Sequence, residues 1–161
     1  MDAAALDYGA METADLIVLQ GVSDPSNGLV ASLLRNVEAG KCLWMLPPPE
    51  EVGNGWNELL IGLGAHGLGP WMETEEPTRL GRLHHDHPVF EGVFARAPEQ
   101  VDLPNVKGWH TRSRNASLER HLLSFADGRP LMTTGVKDLG RFYFCAAPLD
   151  ATWSNLSLIH I

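Results

Sequence analysis

The first strong signal along the chain is a nearly continuous apolar run at residues 15–20 (DLIVLQ), rich in β-branched residues. Such a run predicts a strand covered on both faces. Residues 21–27 (GVSDPSN) are dense in turn formers and can supply a helix N-cap. Leu29, Val30, Leu33, Leu34 and Val37 then fall on one helical stripe that ends before Gly40, a residue suited to the position just past a helix. A second short apolar run, residues 42–46 (CLWML), is broken by Pro47-Pro48-Pro49. Strand, helix and strand in about thirty residues define a crossover between parallel strands, normally right-handed. A further helix is predicted after Asn54, with Trp56, Leu59, Leu60 and Leu63 on one face and Gly64 closing it.

The pattern weakens in the middle of the chain. From Gly64 onward glycine and proline are frequent and periodic runs are few. Residues 64–118 are therefore expected to form a loop-rich insertion, with a turn of helix near His87–Phe94 and a strand at Val101–Leu103. Order returns in three strand-like runs, residues 120–126 (RHLLSFA), 130–134 (PLMTT) and 141–147 (RFYFCAA). Asp127-Gly128 separates the first two runs and Val136 to Gly140 the next two, so they fit an antiparallel meander. The predicted architecture is a single α/β domain over residues 1–161. Its mixed sheet starts with a parallel βαβ unit, ends in the meander, and carries helices on both faces.

Composition narrows the function classes. The 161 residues carry 12 Lys+Arg against 20 Asp+Glu, a formal charge of −8, which disfavours nucleic acid and anionic lipid as partners. The one basic cluster, Arg112-Ser113-Arg114, is too small to reverse that balance. Cys42 and Cys145 lie far apart inside apolar runs. Neither a disulfide framework nor a zinc knuckle fits that spacing, and both read as small buried hydrophobes. The acidic N-terminus is unlike a signal peptide, and no apolar stretch approaches the ~20 residues that span a bilayer. The apolar ending Leu158-Ile159-His160-Ile161 suggests a segment of something longer.

Candidate chemistry is sparse. His84-His85-Asp86-His87 offers imidazole and carboxylate ligands, and an alternative reading makes His84, His85 and His87 part of a metal-dependent hydrolase site. Neighbouring residues point apart on either a strand or a helix, so at most two of the four converge. His66, His110 and His121 stand in no HxH or HxxxH spacing. The local reading is that Asp86 caps a helical turn starting at His87-Pro88. No GxSxG or GxCxG elbow exists for a nucleophile. The literal GxGxxG at Gly62–Gly67 follows a helix rather than a strand, so it lacks the context of a dinucleotide fingerprint. What remains is a rim. Asp24 and Asp150 each follow a predicted strand, and in open α/β sheets the strand ends form the ligand crevice. Asp24, Glu50, Asp150 and Trp153 are its candidate residues, against the plainer reading that both aspartates cap the turns after them. Trp44 and Trp56 fall on apolar stripes and read as core.

The order of these features resembles a known type. DLIVLQGVSD leads to an amphipathic helix and to GKCLWMLPPP; DHPVFEGVF, GRPLMTTGVKDLGRFYFCAAPLD and TWSNL follow. Over residues 14–157 this resembles the C-terminal domain of Bat-type (BatA-like) membrane proteins, which is similar to class I glutamine amidotransferases. The motifs that carry the resemblance are Asp86-His87-Pro88-Val89-Phe90, the Gly140-Arg141 turn, and Pro148-Leu149-Asp150 before Trp153-Ser154. The resemblance implies a flavodoxin-like α/β core, membrane-spanning helices outside this chain, and an extracytoplasmic (periplasmic) position. No residue matches the amidotransferase nucleophile elbow, so the resemblance implies the fold without the activity. The expected function is a non-catalytic module, without cofactor, that binds a protein or cell-envelope component.

Overall fold

The structure is a computed structural model that describes residues 8–93, 102–112 and 118–156. After the short helix α1 (Tyr8–Thr13), the chain forms β1 (Leu16–Gln20), α2 (Asn27–Glu38), β2 (Cys42–Leu46) and α3 (Asn54–Gly62). There follow β3 (Trp71–Leu83), β4 (Asn105–His110), β5 (Arg120–Phe125), β6 (Pro130–Lys137) and β7 (Gly140–Cys145). The seven strands make one mixed sheet in the order β1-β2-β7-β6-β5-β3-β4. β1, β2 and β7 are mutually parallel, and every other neighbouring pair is antiparallel. The protein is therefore mixed α/β, with the parallel βαβ start and the β5–β6–β7 meander where the sequence predicts them.

Local chemistry accounts for the crossover. Ser26 is the N-cap of α2, its hydroxyl accepting from the Leu29 N–H at 3.3 Å, which satisfies one of the first-turn donors. Past the helix, Gly40 has φ +107, a conformation that only glycine adopts without strain. Between β6 and β7 the tight turn places Asp138 at φ 50, as short hairpin turns require.

The core is one cluster. Paired positions align Ile17, Leu43 and Phe142 in one row and Leu19, Met45 and Phe144 in the next, all of them buried. α2 and α3 pack on each other and add Leu29, Leu33, Val37, Trp56, Leu59 and Leu60 to the same cluster. Each fully buried side chain of this size contributes about 1.5–3 kcal/mol relative to exposure.

Three expectations are corrected. Helices do not cover both faces among the described residues: on the opposite face of β1, Leu16 and Val18 remain 51% and 50% exposed. β1 is an edge strand with alternating burial, and an unbroken apolar run does not distinguish that from a strand buried on both sides. Residues 64–118 are not simply loops, because they include β4 and the longest strand, β3. β3 escapes periodicity because it is largely exposed, carries Glu73, Glu75 and Glu76, and has Pro77 where the register to β4 shifts between Glu73 and Thr78. A proline is tolerated at such an irregularity. The helical turn near residue 87 is a 3-10 turn at Pro88–Phe90; its expected end at Phe94 lies outside the described residues, as does Val101 of the expected strand. Residues 102–104 have no regular structure and the strand starts at Asn105.

Candidate functional site

The carboxyl ends of the three parallel strands lie side by side and release their loops at one edge of the sheet. β1 exits through Gly21, whose N–H donates to the Leu46 carbonyl at 3.2 Å. β2 exits into Pro47-Pro48-Pro49, and β7 into Pro148-Leu149-Asp150. Together these loops enclose a concavity of about 380 Å³, which Asp150, Thr152 and Trp153 also line. The prolines fix its floor because their φ is locked.

Asp150 is exposed and closes a tight turn. Its Oδ1 accepts from the Thr152 N–H at 2.8 Å, while its carbonyl accepts from the N–H groups of Trp153 and Ser154. Hydrogen bonds from Thr152 hold the Asp150 carboxyl below the usual carboxylate range, so it is a fixed negative charge at neutral pH. The Trp153 ring stands edge-on to Trp71 at 5.4 Å, and Trp71 in turn to His110 at 5.1 Å. His110 is buried and its Nε2 lies 3.0 Å from the Pro48 carbonyl. A carbonyl only accepts, so Nε2 carries a proton and donates it to this bond. The aromatic stack thus runs from the concavity wall to the proline floor.

The other two rim candidates do not line this concavity. Glu50 comes directly after Pro49, and its Oε1 accepts from the Ser23 hydroxyl at 2.6 Å, tying the first loop to the second. Asp24 turns toward α3, where its Oδ1 accepts from the Gly55 N–H at 2.9 Å. It therefore caps a helix, although a later one than the turn it precedes. The space around Gly55 is filled by Asp24 and the Pro25 carbonyl, leaving no room for a Cβ. The structure brings Asp150 and Trp153 together and assigns Asp24 and Glu50 to the loops behind them.

The histidine run does not converge. His84 Nε2 meets the Ser124 hydroxyl at 3.1 Å, and the His121 ring is 5.9 Å away. His85 is exposed. His87 belongs to a different concavity, beside Arg120 and Arg141. Among the described residues, no group of three or more His, Cys, Asp or Glu is placed to hold a metal ion. The helical cap also differs from expectation: the His87 ring, not Asp86, accepts from the Val89 N–H at 3.1 Å.

The thiols offer no nucleophile at this edge. Cys145 is 1% exposed, and burial pushes its pKa up to about 11, so it stays a neutral thiol near pH 7. Burial likewise raises Cys42, with the Arg141 charge opposing.

Sequence reasoning missed one buried ion pair. Arg112 Nη2 lies 2.7 Å from Glu119 Oε2, with the two side chains only 1% and 3% exposed. The same guanidinium donates to the His66 carbonyl and lies over the Phe144 ring. Glu119 also accepts from the Thr133 hydroxyl and the His66 N–H. Arg112 is thereby withdrawn from the basic cluster read in the sequence; Ser113 and Arg114 lie outside the described residues. Nothing in the spacing of Arg112 and Glu119 marks them as buried, because the pairing depends on β6 supplying Thr133.

A mixed α/β domain with its loops gathered at one sheet edge is the class that the fold defines. No protein-family model matches this chain, and no curated protein matches it. Among solved structures it is similar to the cytoplasmic protein STM3548 from Salmonella typhimurium. That match has a TM-score of 0.72 at 16% identity, and it covers 93% of this chain and 68% of that one. It is also similar to the cytoplasmic protein STM1381 from Salmonella typhimurium LT2, with TM-score 0.70 at 15% identity, covering 91% of this chain and 65% of that one. The N-terminal domain of mmIFT52 matches with TM-score 0.63 at 12% identity, over 88% and 69%. At these identities the likeness is one of fold, and this chain spans about two thirds of each neighbour's length.

These neighbours overturn the resemblance to Bat-type membrane proteins. The motifs that suggested it are local necessities of this fold. His87-Pro88 is the start of a 3-10 turn, Gly140 sits where the backbone of Val37 and Lys41 leaves no room for a Cβ, and Asp150 closes its own turn. With the resemblance goes the argument for a membrane anchor and a periplasmic position. Among the described residues no helix is long and apolar enough to cross a membrane.

Proposed function

We propose that this protein is a non-catalytic binding module with a flavodoxin-like parallel core, and that its ligand sits in the crevice at the carboxyl ends of β1, β2 and β7. The observation that carries the proposal is the pairing of Asp150 with Trp153 on a rigid proline floor. An exposed carboxylate beside an aromatic wall suits recognition of hydroxyl-bearing or cationic groups. No activated nucleophile accompanies them: Cys145 is buried and neutral, and Ser23 is hydrogen-bonded to a carboxylate with no histidine base among its described partners. Nucleic acid is not expected as a partner, given the net charge and the burial of Arg112.

Two measurements test this reading. Glutaminase and general amidase or esterase assays should show no turnover above blank, and turnover abolished by Cys145→Ala would overturn it. On an array of glycans and peptides, binding to this crevice should vanish in both Trp153→Ala and Asp150→Asn. Binders unaffected by either change would place the ligand elsewhere.

A further inference from the structure

The sheet face opposite the helices carries two cross-strand rows. One runs Leu16, Cys42, Arg141, Val136, and the next Val18, Trp44, Tyr143, Thr134, Arg120. Arg120 on β5 and Arg141 on β7 therefore flank β6 on the same face, opposite positions two residues apart. His87, at the start of the 3-10 turn, closes a third side. These three residues, with Pro88, Leu118 and Val136, line a concavity of about 450 Å³.

The charges here are uncompensated. Arg79, Arg112 and Arg129 each have an acidic partner. Arg120 and Arg141 have neither an ion pair nor a side-chain hydrogen bond among the described residues. Two guanidinium-bearing residues line one hollow, in a chain whose net charge is −8. His87 is set up as a donor. Its Nδ1 accepts from the Val89 N–H, so the neutral ring carries its proton on Nε2. Burial, then Arg120 and Arg141, lower the His87 pKa, and the adjacent Asp86 opposes them; the ring is neutral at pH 7.

We propose that Arg120, Arg141 and His87 form a binding site for a small organic phosphate monoester, with the phosphoryl group between the two guanidiniums and the organic body against Val136, Leu118 and Pro88. Two unpaired positive charges match a dianion. Planar guanidinium forks suit tetrahedral oxyanions, and the three donors match three phosphoryl oxygens, whereas a carboxylate offers one charge and two oxygens. The apolar wall, with Val136 57% exposed and Leu118 76% exposed, gives a non-polar body something to cover. This site lies at the amino end of β7, away from the crevice at its carboxyl end, so the two proposals stand or fall separately.

The test is calorimetric titration with phenyl phosphate at constant ionic strength, with amide shifts recorded in parallel. Saturable binding is expected, with shifts at residues 89, 135–137 and 141. Arg120→Gln and Arg141→Gln, both at exposed positions, should each weaken binding about tenfold or more, as loss of a charge-assisted hydrogen bond does. Arg79→Gln, outside the concavity, should leave it unchanged. Inorganic phosphate should bind the same residues more weakly, and benzoate, a monoanion with the same ring, more weakly than phenyl phosphate. Absence of saturation up to ~10 mM, equal affinity in both Gln variants, or benzoate binding as tightly as phenyl phosphate would each overturn the site. A phosphotyrosine peptide binding much more tightly than phenyl phosphate would replace the small ligand by a phosphopeptide and overturn that assignment.

Discussion

Arg112 and Glu119 are the residues whose position in the fold is most demanding. Taking two charges out of water carries a penalty that their mutual attraction repays only with good geometry and further hydrogen bonds. The carboxylate meets both conditions, through the 2.7 Å contact and the added donors from Thr133 and His66, whereas Nε and Nη1 of the guanidinium are buried without a hydrogen-bond partner among the described residues. Burial alone would raise the Glu119 carboxyl, but the Arg112 charge with the Thr133 and His66 hydrogen bonds outweighs it and holds the pKa below the usual carboxylate value. Glu119→Gln leaves a buried guanidinium without a counter-charge, and a loss of about 3–5 kcal/mol is expected at pH 7. Because the folded-state pKa is depressed, the carboxylate's contribution is full above the ordinary value and fades as pH falls through the folded one. The gap in melting temperature between wild type and Glu119→Gln should therefore narrow between pH 7 and about pH 3. Circular-dichroism melts at the two pH values measure it, and a constant gap would refute the assignment.

At the scale of elements, α2 and β7 meet where the backbone itself is the contact. A Cβ on Gly140 would run into the carbonyls of Val37 and Lys41, so the C-terminus of α2 rests directly on the start of β7. Gly140→Ala forces these backbones apart and should destabilise by about 1–3 kcal/mol or more, in the manner of overpacking. Ser26→Ala, at the other end of α2, should cost only about 1 kcal/mol through the lost cap. Urea unfolding midpoints of the two variants give the comparison, and a Gly140→Ala midpoint equal to wild type would contradict this contact. These elements also show what the sequence could reveal. α2 and α3 were legible because their stripes of Leu, Val and Trp face one core. β5, β6 and β7 were legible because turn residues punctuate apolar runs. β4 was hidden by Gly108, which is required because the Trp71 and Trp153 rings pack over it, a contact between residues far apart in sequence. The site divides the same way. Asp150 and Trp153 were visible as residues after a strand, whereas Arg120 and Arg141 line one hollow only because their strands flank β6.

Among the described residues the sheet carries its helices on one side, and this asymmetry governs where substitutions are tolerated. Along β1 the alternation is explicit: Ile17 and Leu19 are in the core, while Leu16 and Val18 are about half exposed. In β2 the partner rows continue, with Leu43 and Met45 fully buried and Cys42 and Trp44 only partly so. At the β1 edge of this face the hydrophobic contribution is small however apolar the residues are, because little area is removed from water there. Leu16→Thr and Val18→Thr are then expected to shift stability by no more than about 0.5 kcal/mol each, the range of ordinary surface changes. Leu43→Ala, one strand away on the helix-covered face, should cost about 2–5 kcal/mol, since it loses both burial and packing. Urea denaturation of the three variants with a shared m-value decides the matter. Should Leu16→Thr or Val18→Thr prove as damaging as Leu43→Ala, the face is covered in the folded protein and the one-sided architecture is wrong. The same face holds Arg120, Arg141 and Val136, so a tolerant Leu16 and Val18 would also leave the phosphate hollow open to ligand.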